Sequence, residues 1–177
     1  KIQDGTHFSP KLGGNDYLYI TSKNIRAGKL DLATADFISA VEHFKIYGRC
    51  DVKRGDLLLT KDGANTGNAA LNTIDEPFSL LSSVAMLRFD ARLHSACYFM
   101  HQILSAQGQT QIKEAMSGNA ITRLTLAKIR ALRFPVPDLP EQTAIADVLS
   151  EMNKEKAGLE QQAEKTRSLK RDMRTEL

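Results

Sequence analysis

The sequence has no tryptophan, two cysteines and five prolines in 177 residues, and aromatic residues make up 6% of it. Cys50 and Cys97 stand alone, with no CxxC pair and no histidine at ligand spacing. That excludes a zinc ribbon or a disulfide-stapled scaffold and leaves two buried thiols in a reducing compartment as the expectation. No apolar run approaches the roughly eighteen residues of a membrane span, and no N-terminal stretch combines a basic start, an apolar segment and a cleavage site. A soluble, cytoplasmic chain without a membrane partner is expected. It begins at Lys1 rather than methionine, so a natural start upstream, and further chain after Leu177, are expected as well.

The motifs of catalysis are also missing. No GxGxxG follows a strand and no GxxxxGK[ST] occurs, so a glycine loop cradling a nucleotide is unsupported. Methyl transfer to a base would call for an Asn or Asp, Pro, Pro, aromatic tetrad, which is absent. A common type of metal-dependent nuclease needs an acidic residue two before a lysine at a strand end. Here Asp56 lies five before Lys61, and Leu59 occupies the acidic position. His7, His43, His94 and His101 are scattered without HxxxH spacing, as surface or core histidines would be. No metal, and no cofactor of the chain's own, is expected.

What is present is a 42% hydrophobic chain of one-domain size. Residues 1–140 hold 17 basic against 13 acidic side chains, a net +4, whereas residues 141–177 hold 7 against 8, a net −1. The basic excess therefore belongs to the first part, where it suits a polyanionic partner as well as an ordinary cytosolic surface.

Turn residues mark Asp4-Gly5 and the Gly13–Asp16 stretch, and Tyr17–Thr21 has strand composition. Asp36–Ser39 is a further strand candidate. Asp56–Thr60 and Asn68–Thr73 read as a hairpin around a wide polar loop, and Leu80–Phe89 as a strand buried on both faces. From Ala91 to Ser117 the period becomes helical, with Gly108 as a break and Gly118 as a C-cap. Leu124–Leu132 reads as a short helix and Arg133–Val136 as a strand. Strands first and helices later give an α+β domain over residues 1–137.

Three of the five prolines fall within residues 135–140, and the chain then runs to its end with glycine only at Gly158. Asp138 with Glu141 resembles a capping box, and Pro140 is tolerated in a first turn. Residues 138–177 thus read as one helix roughly 55 Å long. Steps of four and three from Ile145 reach Leu149, Met152, Lys156, Leu159, Ala163, Thr166, Lys170, Met173 and Leu177, and seven of these ten are apolar. That is a coiled-coil seam, which needs a partner helix.

Three polar loops remain: TSKNIRAGK (21–29), TKDGANTGN (60–68) and GNAITR (118–123). Asn can pair with adenine and Arg or Lys with guanine by two hydrogen bonds, and Ser, Thr and amides fix phosphates. Ser22, Lys23, Asn24, Arg26, Lys61, Asn65, Thr66, Asn68, Asn119 and Arg123 are the candidate DNA contacts. The same residue types build ordinary turns, so composition alone leaves both readings open.

IQDGTHFSP (2–10), YITSKNI (19–25), GDLLLTKDGANTG (55–67) and GNAITRLTLAKIRALRFPVPDLPEQTAIADVL (118–149) together resemble the DNA-specificity subunits of type I restriction-modification systems. The resemblance implies a target-recognition domain reading one half of a bipartite DNA sequence, followed by a long spacer helix. It implies a non-catalytic subunit that docks methyltransferase subunits using S-adenosylmethionine and restriction subunits using ATP and magnesium. A subunit of this family carries two recognition domains and two helices where this chain has one of each. The helix would then pair with a second copy or with the missing half of a longer subunit. Antiparallel pairing would separate the two domains by roughly 40–55 Å, somewhat more than one ~34 Å turn of B-DNA. Two other classes compete: an adaptor whose loops are only turns, and a nuclease using Asp56, Lys61 and Asp62.

Overall fold

A computed structural model describes residues 1–116 and 123–175. Nine strands and five helices follow in order: β1 (Ile2–Asp4), β2 (Leu12–Ile20), β3 (Ile25–Arg26), β4 (Lys29–Leu30), β5 (Asp36–Ile38), α1 (Ala40–Tyr47), β6 (Leu57–Thr60), β7 (Ala69–Leu71), β8 (Ser79–Leu80), β9 (Val84–Leu87), α2 (Ala96–Leu104), α3 (Ala106–Met116), α4 (Leu126–Ala131) and α5 (Leu139–Thr175). The expected α+β organisation, ending in a long helix, is the one observed.

The central sheet has the order β1-β9-β6-β7, antiparallel throughout. Its middle strand, Leu57-Leu58-Leu59, is buried along its length because both faces are covered. Leu57 and Leu59, with Ala69, Ala85 and Leu87, face Met100, Ile103, Ile112 and Ile129 of the helical layer. Leu58, Ala70, Val84 and Met86 point the other way, onto Ile20, Ile25, Phe78 and Leu80. The strand's two-residue period thus separates two cores. A second sheet, β5-β2-β8, packs with α1, and β3-β4 forms a small ribbon beside β7.

Several elements differ from the sequence reading. Asp4-Gly5 is no turn: Asp4 ends β1, and Gly5 passes so close to Leu80 that a Cβ would lie 1.9 Å from its carbonyl oxygen. Gly13–Asp16 lies inside β2, in a bulge where Leu12 and Tyr17 both face Ile38, and Gly13 supplies the positive φ of +95° that it needs. Leu80–Phe89 divides, β8 running parallel to β2 in one sheet and β9 joining the other. The helical break falls at Ser105, and Gly108 lies within α3. Arg133–Val136 has no ladder partner; Gln111 instead donates to Arg133 O (2.8 Å) and accepts from Arg133 N (2.9 Å), and the Tyr98 hydroxyl donates to Pro135 O (2.9 Å). Helix α1 was not anticipated. The expected C-cap Gly118 lies outside the described residues.

The start of α5 shows one of the two bonds of the expected capping box. Asp138 Oδ1 accepts from Glu141 N (3.0 Å), and Pro140 sits in the first turn, where no intrahelical donor is lost. The helix runs alongside α2 in the same sense, Gln142 lying against Leu93 and Ser95 and Ser150 against Cys97 and His101. From Glu151 to Ser168 every residue is exposed.

Candidate functional site

The polar loops are gathered at the end of the central sheet where β6 leaves and β9 enters. Ser83 joins two of them: its hydroxyl accepts from Ser22 N (3.2 Å), and its carbonyl accepts from Lys61 N (2.9 Å). Lys61 O in turn accepts from Leu124 N (3.1 Å), which brings Arg123 to the same rim. The Asn68 amide donates to Ile25 O (3.2 Å), tying the hairpin loop to the ribbon. On the other side, Gln109 donates to Gly67 O (3.0 Å) and Ile103 O (2.8 Å), so α3 buttresses the same loop.

Within this rim the candidate residues separate by burial. Asn24 is fully buried. Its Oδ1 accepts from Thr21 N (2.9 Å), and its Nδ2 donates to Asp31 O (3.2 Å) and Thr34 Oγ1 (3.3 Å). Both ends of that amide are engaged within the chain, and the side chain holds the 22–24 turn. Lys61 is likewise mostly buried, its side chain 12% exposed and its ammonium 3.4 Å from Asp4 Oδ2. Its charge is met by a carboxylate. Asn68 is half-buried, with one amide hydrogen on Ile25 O.

Others point outward. Lys23 reaches Asp36 at 2.7 Å, Arg26 lies 3.8 Å from Asp31, and Arg123 is 3.0 Å from Asp62. Their side chains are 49%, 50% and 62% exposed. Ion pairs this exposed contribute about 0–1 kcal/mol, so a phosphate could displace the carboxylate at little cost. Ser22, Asn65 and Thr66 are half-buried on the loops, the Thr66 hydroxyl donating to Gly63 O (2.7 Å). Asn119 lies outside the described residues.

Three residues that matter here were not singled out from sequence. Ser83 links loops and Gln109 braces one. Asp4 is 6% exposed and collects Arg49 Nη2 (3.1 Å), Lys61 and His7 Nε2 (3.4 Å). Burial pushes its carboxyl up, but the Arg49 hydrogen bond and the Lys61 and His7 charges outweigh that and hold it below the usual carboxylate range. Local sequence gives none of them this role, because each works through a partner more than twenty positions away.

The nuclease constellation is not assembled. Asp56 accepts from Arg88 (2.7 and 2.8 Å) and Lys53 N (2.7 Å) at the opposite end of β6 from Lys61 and Asp62. Five residues of extended chain separate Asp56 from Lys61 by roughly 16 Å. Beside Asp56 a cleft of about 660 Å³ opens between Arg54, Arg88, His94 and Leu139. Its arginines are engaged, Arg88 with Asp56 and Asp51 and Arg54 with Asp75.

On α5 the expected seam positions and the residues seated on the domain occupy different stripes. Gln142 and Ala146 are buried and Ser150 is half-buried, whereas Leu149, Met152, Leu159 and Ala163 are exposed and Ile145 lies between. At 3.6 residues per turn the two stripes stand about 100° apart around the helix. Val148, 60% exposed, widens the apolar stripe. The side chain of Met173, and Leu177 altogether, lie outside the described residues. Among the described residues no helix is long and apolar enough to cross a membrane.

A family model described as the type I restriction modification DNA specificity domain matches residues 3–167. No curated protein matches the chain. Among solved structures, a chain from work titled as the structural basis of complex assembly and conformational transition of the type I R-M system aligns with a TM-score of 0.66 at 18% identity. The alignment covers 96% of this chain and 40% of that one, so the likeness is one of fold, and this chain spans less than half of that chain's length.

Proposed function

Since the chain belongs to the type I restriction-modification DNA specificity domain family, we propose that residues 1–137 read one half of a bipartite duplex target while residues 138–177 serve as its spacer. The family makes it a DNA-recognition domain. The observation that carries the finer reading is the convergence of the 21–26 and 61–68 loops and Arg123 on one rim through Ser83, Lys61 and Ile25.

The contacts fall into two groups. Lys23, Arg26, Asn65, Thr66 and Arg123, with Ser22 and Asn119, meet the DNA; Asn24 and Lys61 hold the loops, and the half-buried Asn68 offers its remaining amide hydrogen. The chain itself contributes recognition and no bond-breaking step. Catalysis belongs to docked methyltransferase subunits with S-adenosylmethionine and restriction subunits with ATP and magnesium, all acting in the cytoplasm. The exposed stripe on α5 pairs with an equivalent helix, in a second copy or in the rest of a longer subunit, and places two reading rims on one duplex. Because the stripe lies about 100° from the domain seat, pairing leaves that seat undisturbed.

Salt-dependent binding of the assembled complex to duplexes carrying its mapped methylation site tests this. Arg123→Ala and Lys23→Ala should each lower affinity and reduce the log–log salt slope by about 1 for a lost phosphate contact. Unchanged affinity and slope in both would favour an adaptor whose loops are only turns.

A further inference from the structure

Helix α5 is seated on its domain by directional bonds. Gln142 is fully buried, and its side-chain amide is saturated. Oε1 accepts from Ser95 N (2.9 Å), and Nε2 donates to Leu93 O (3.2 Å) and Pro137 O (2.8 Å). Two turns further on, Ser150 Oγ and His101 Nε2 share a hydrogen bond of 3.0 Å. Between them Ala146, 2% exposed, supplies a methyl contact. Apolar contact is non-directional and would tolerate a helix that rolled or tilted. The polar pins would not, because any other azimuth leaves a buried amide or carbonyl without its partner.

What this orientation controls lies far from it. From Glu151 to Ser168 every residue is exposed, so the buried seat of the helix on its domain ends at Ser150. From Ala146 to Thr175 it extends about 44 Å, and a tilt of ~10° would move its end by ~8 Å, more than two base-pair steps of ~3.4 Å.

We infer that Gln142 and the Ser150–His101 pair are positioning residues that set the direction in which α5 leaves its domain, and thereby the separation of half-sites that the assembled subunit accepts. The inference rests on the proposed reading of a bipartite target. It also distinguishes two jobs along one helix, in which the seam chooses the partner and the seat fixes the angle.

The test uses the complete subunit assembled with its modification partner, and a panel of duplexes carrying both mapped half-sites with the intervening segment lengthened or shortened by one and two base pairs. The wild-type complex should disfavour a one-pair change by about tenfold, as for a mismatched position. Gln142→Leu should reduce that discrimination below about threefold or move the optimum, leaving base preference within each half-site unchanged. Ser150→Ala, which removes the bonds to His101 and Cys97 at a partly exposed site, should act in the same direction to a smaller extent, and Ser150→Thr should restore the wild-type pattern; this pair decides the matter if Gln142→Leu does not fold. Wild-type spacing discrimination in every folded variant, with bipartite binding intact, would overturn the inference alone. A wild-type complex with no bipartite preference would overturn the functional reading and this inference with it.

Discussion

The same substitution, glycine to alanine, should have opposite consequences at two helical positions. Alanine is favoured over glycine in a helix interior by about 1 kcal/mol. At Gly158, on the exposed part of α5, an added Cβ meets nothing within 4 Å, so Gly158→Ala should deliver that gain as increased helicity without lowering the melting temperature. At Gly108 the Cβ would lie 2.2 Å from Gln102 O, 2.6 Å from Ile103 O and 2.9 Å from Ile103 C. These are backbone atoms of α2 and cannot turn aside, so α3 must withdraw by roughly 1 Å to restore ordinary contact distances. That movement strains the Gln109 to Ile103 O bond of 2.8 Å and opens space around Ile112, which is 1% exposed. Overpacking costs about 1–3 kcal/mol and a lost buried hydrogen bond about 1 kcal/mol. Set against the propensity gain, Gly108→Ala should destabilise by about 1–3 kcal/mol, a fall of roughly 3–10 °C for a chain of this length. Thermal and urea unfolding followed by circular dichroism would measure both variants. A Gly108→Ala protein as stable as wild type would refute the close approach of α2 and α3, and a destabilised Gly158→Ala would show that the contact argument is not what distinguishes the sites.

Acid should act through Asp4. Its folded pKa lies below the unfolded value of about 3.9, so its stabilisation is complete above that pH and disappears as pH falls through the folded value. The difference in melting temperature between wild type and Asp4→Asn should therefore be constant above about pH 5 and shrink below about pH 4; a difference that stays constant to pH 2.5 would remove Asp4 from the linkage. On α5, Met152→Asp with Leu159→Asp alters side chains that are 60% and 67% exposed, so domain stability should change by no more than about 0.5 kcal/mol while helix pairing is lost. Sedimentation of the assembled subunit would report it, and unchanged association would count against the seam.

The parts of the fold legible in the sequence are those in which local pattern and tertiary environment agree. Leu57-Leu58-Leu59 is apolar without alternation because cores lie on both of its faces, and Asp138, Pro140 and Glu141 mark a helix start that needs no distant partner. Legibility fails where they diverge. Helix α1 is not legible because Val41 and Phe44 are each 67% exposed while His43 and Ile46 are buried, so its apolar residues do not define one face. In Leu80–Phe89 only Ser82 and Ser83 separate the apolar residues ahead of Arg88, yet the chain changes sheets between Leu80 and Val84, a decision made by pairing with β2 and β6.

The candidate site shows the same division at the level of single side chains. Residue type and turn context select Asn24 as readily as Asn65, and Lys61 as readily as Lys23. What separates them is supplied from elsewhere in the chain: Asp31 and Thr34 occupy the Asn24 amide, and Asp4, delivered by β1, meets Lys61 beside Arg49. A surface that discriminates bases through paired hydrogen bonds must present its side chains with little freedom to shift, so part of its polar inventory has to be spent on holding loops. Asn24, Lys61, Ser83 and Gln109 are spent in this way. Lys23, Arg26 and Arg123 keep exposed ion pairs of low strength, a state from which exchange for a phosphate or a base edge costs least. The first stretch of the chain therefore supports the loops from a distance: Ile2–Asp4 form β1, and β1 carries the carboxylate that meets Lys61 at the root of the hairpin loop.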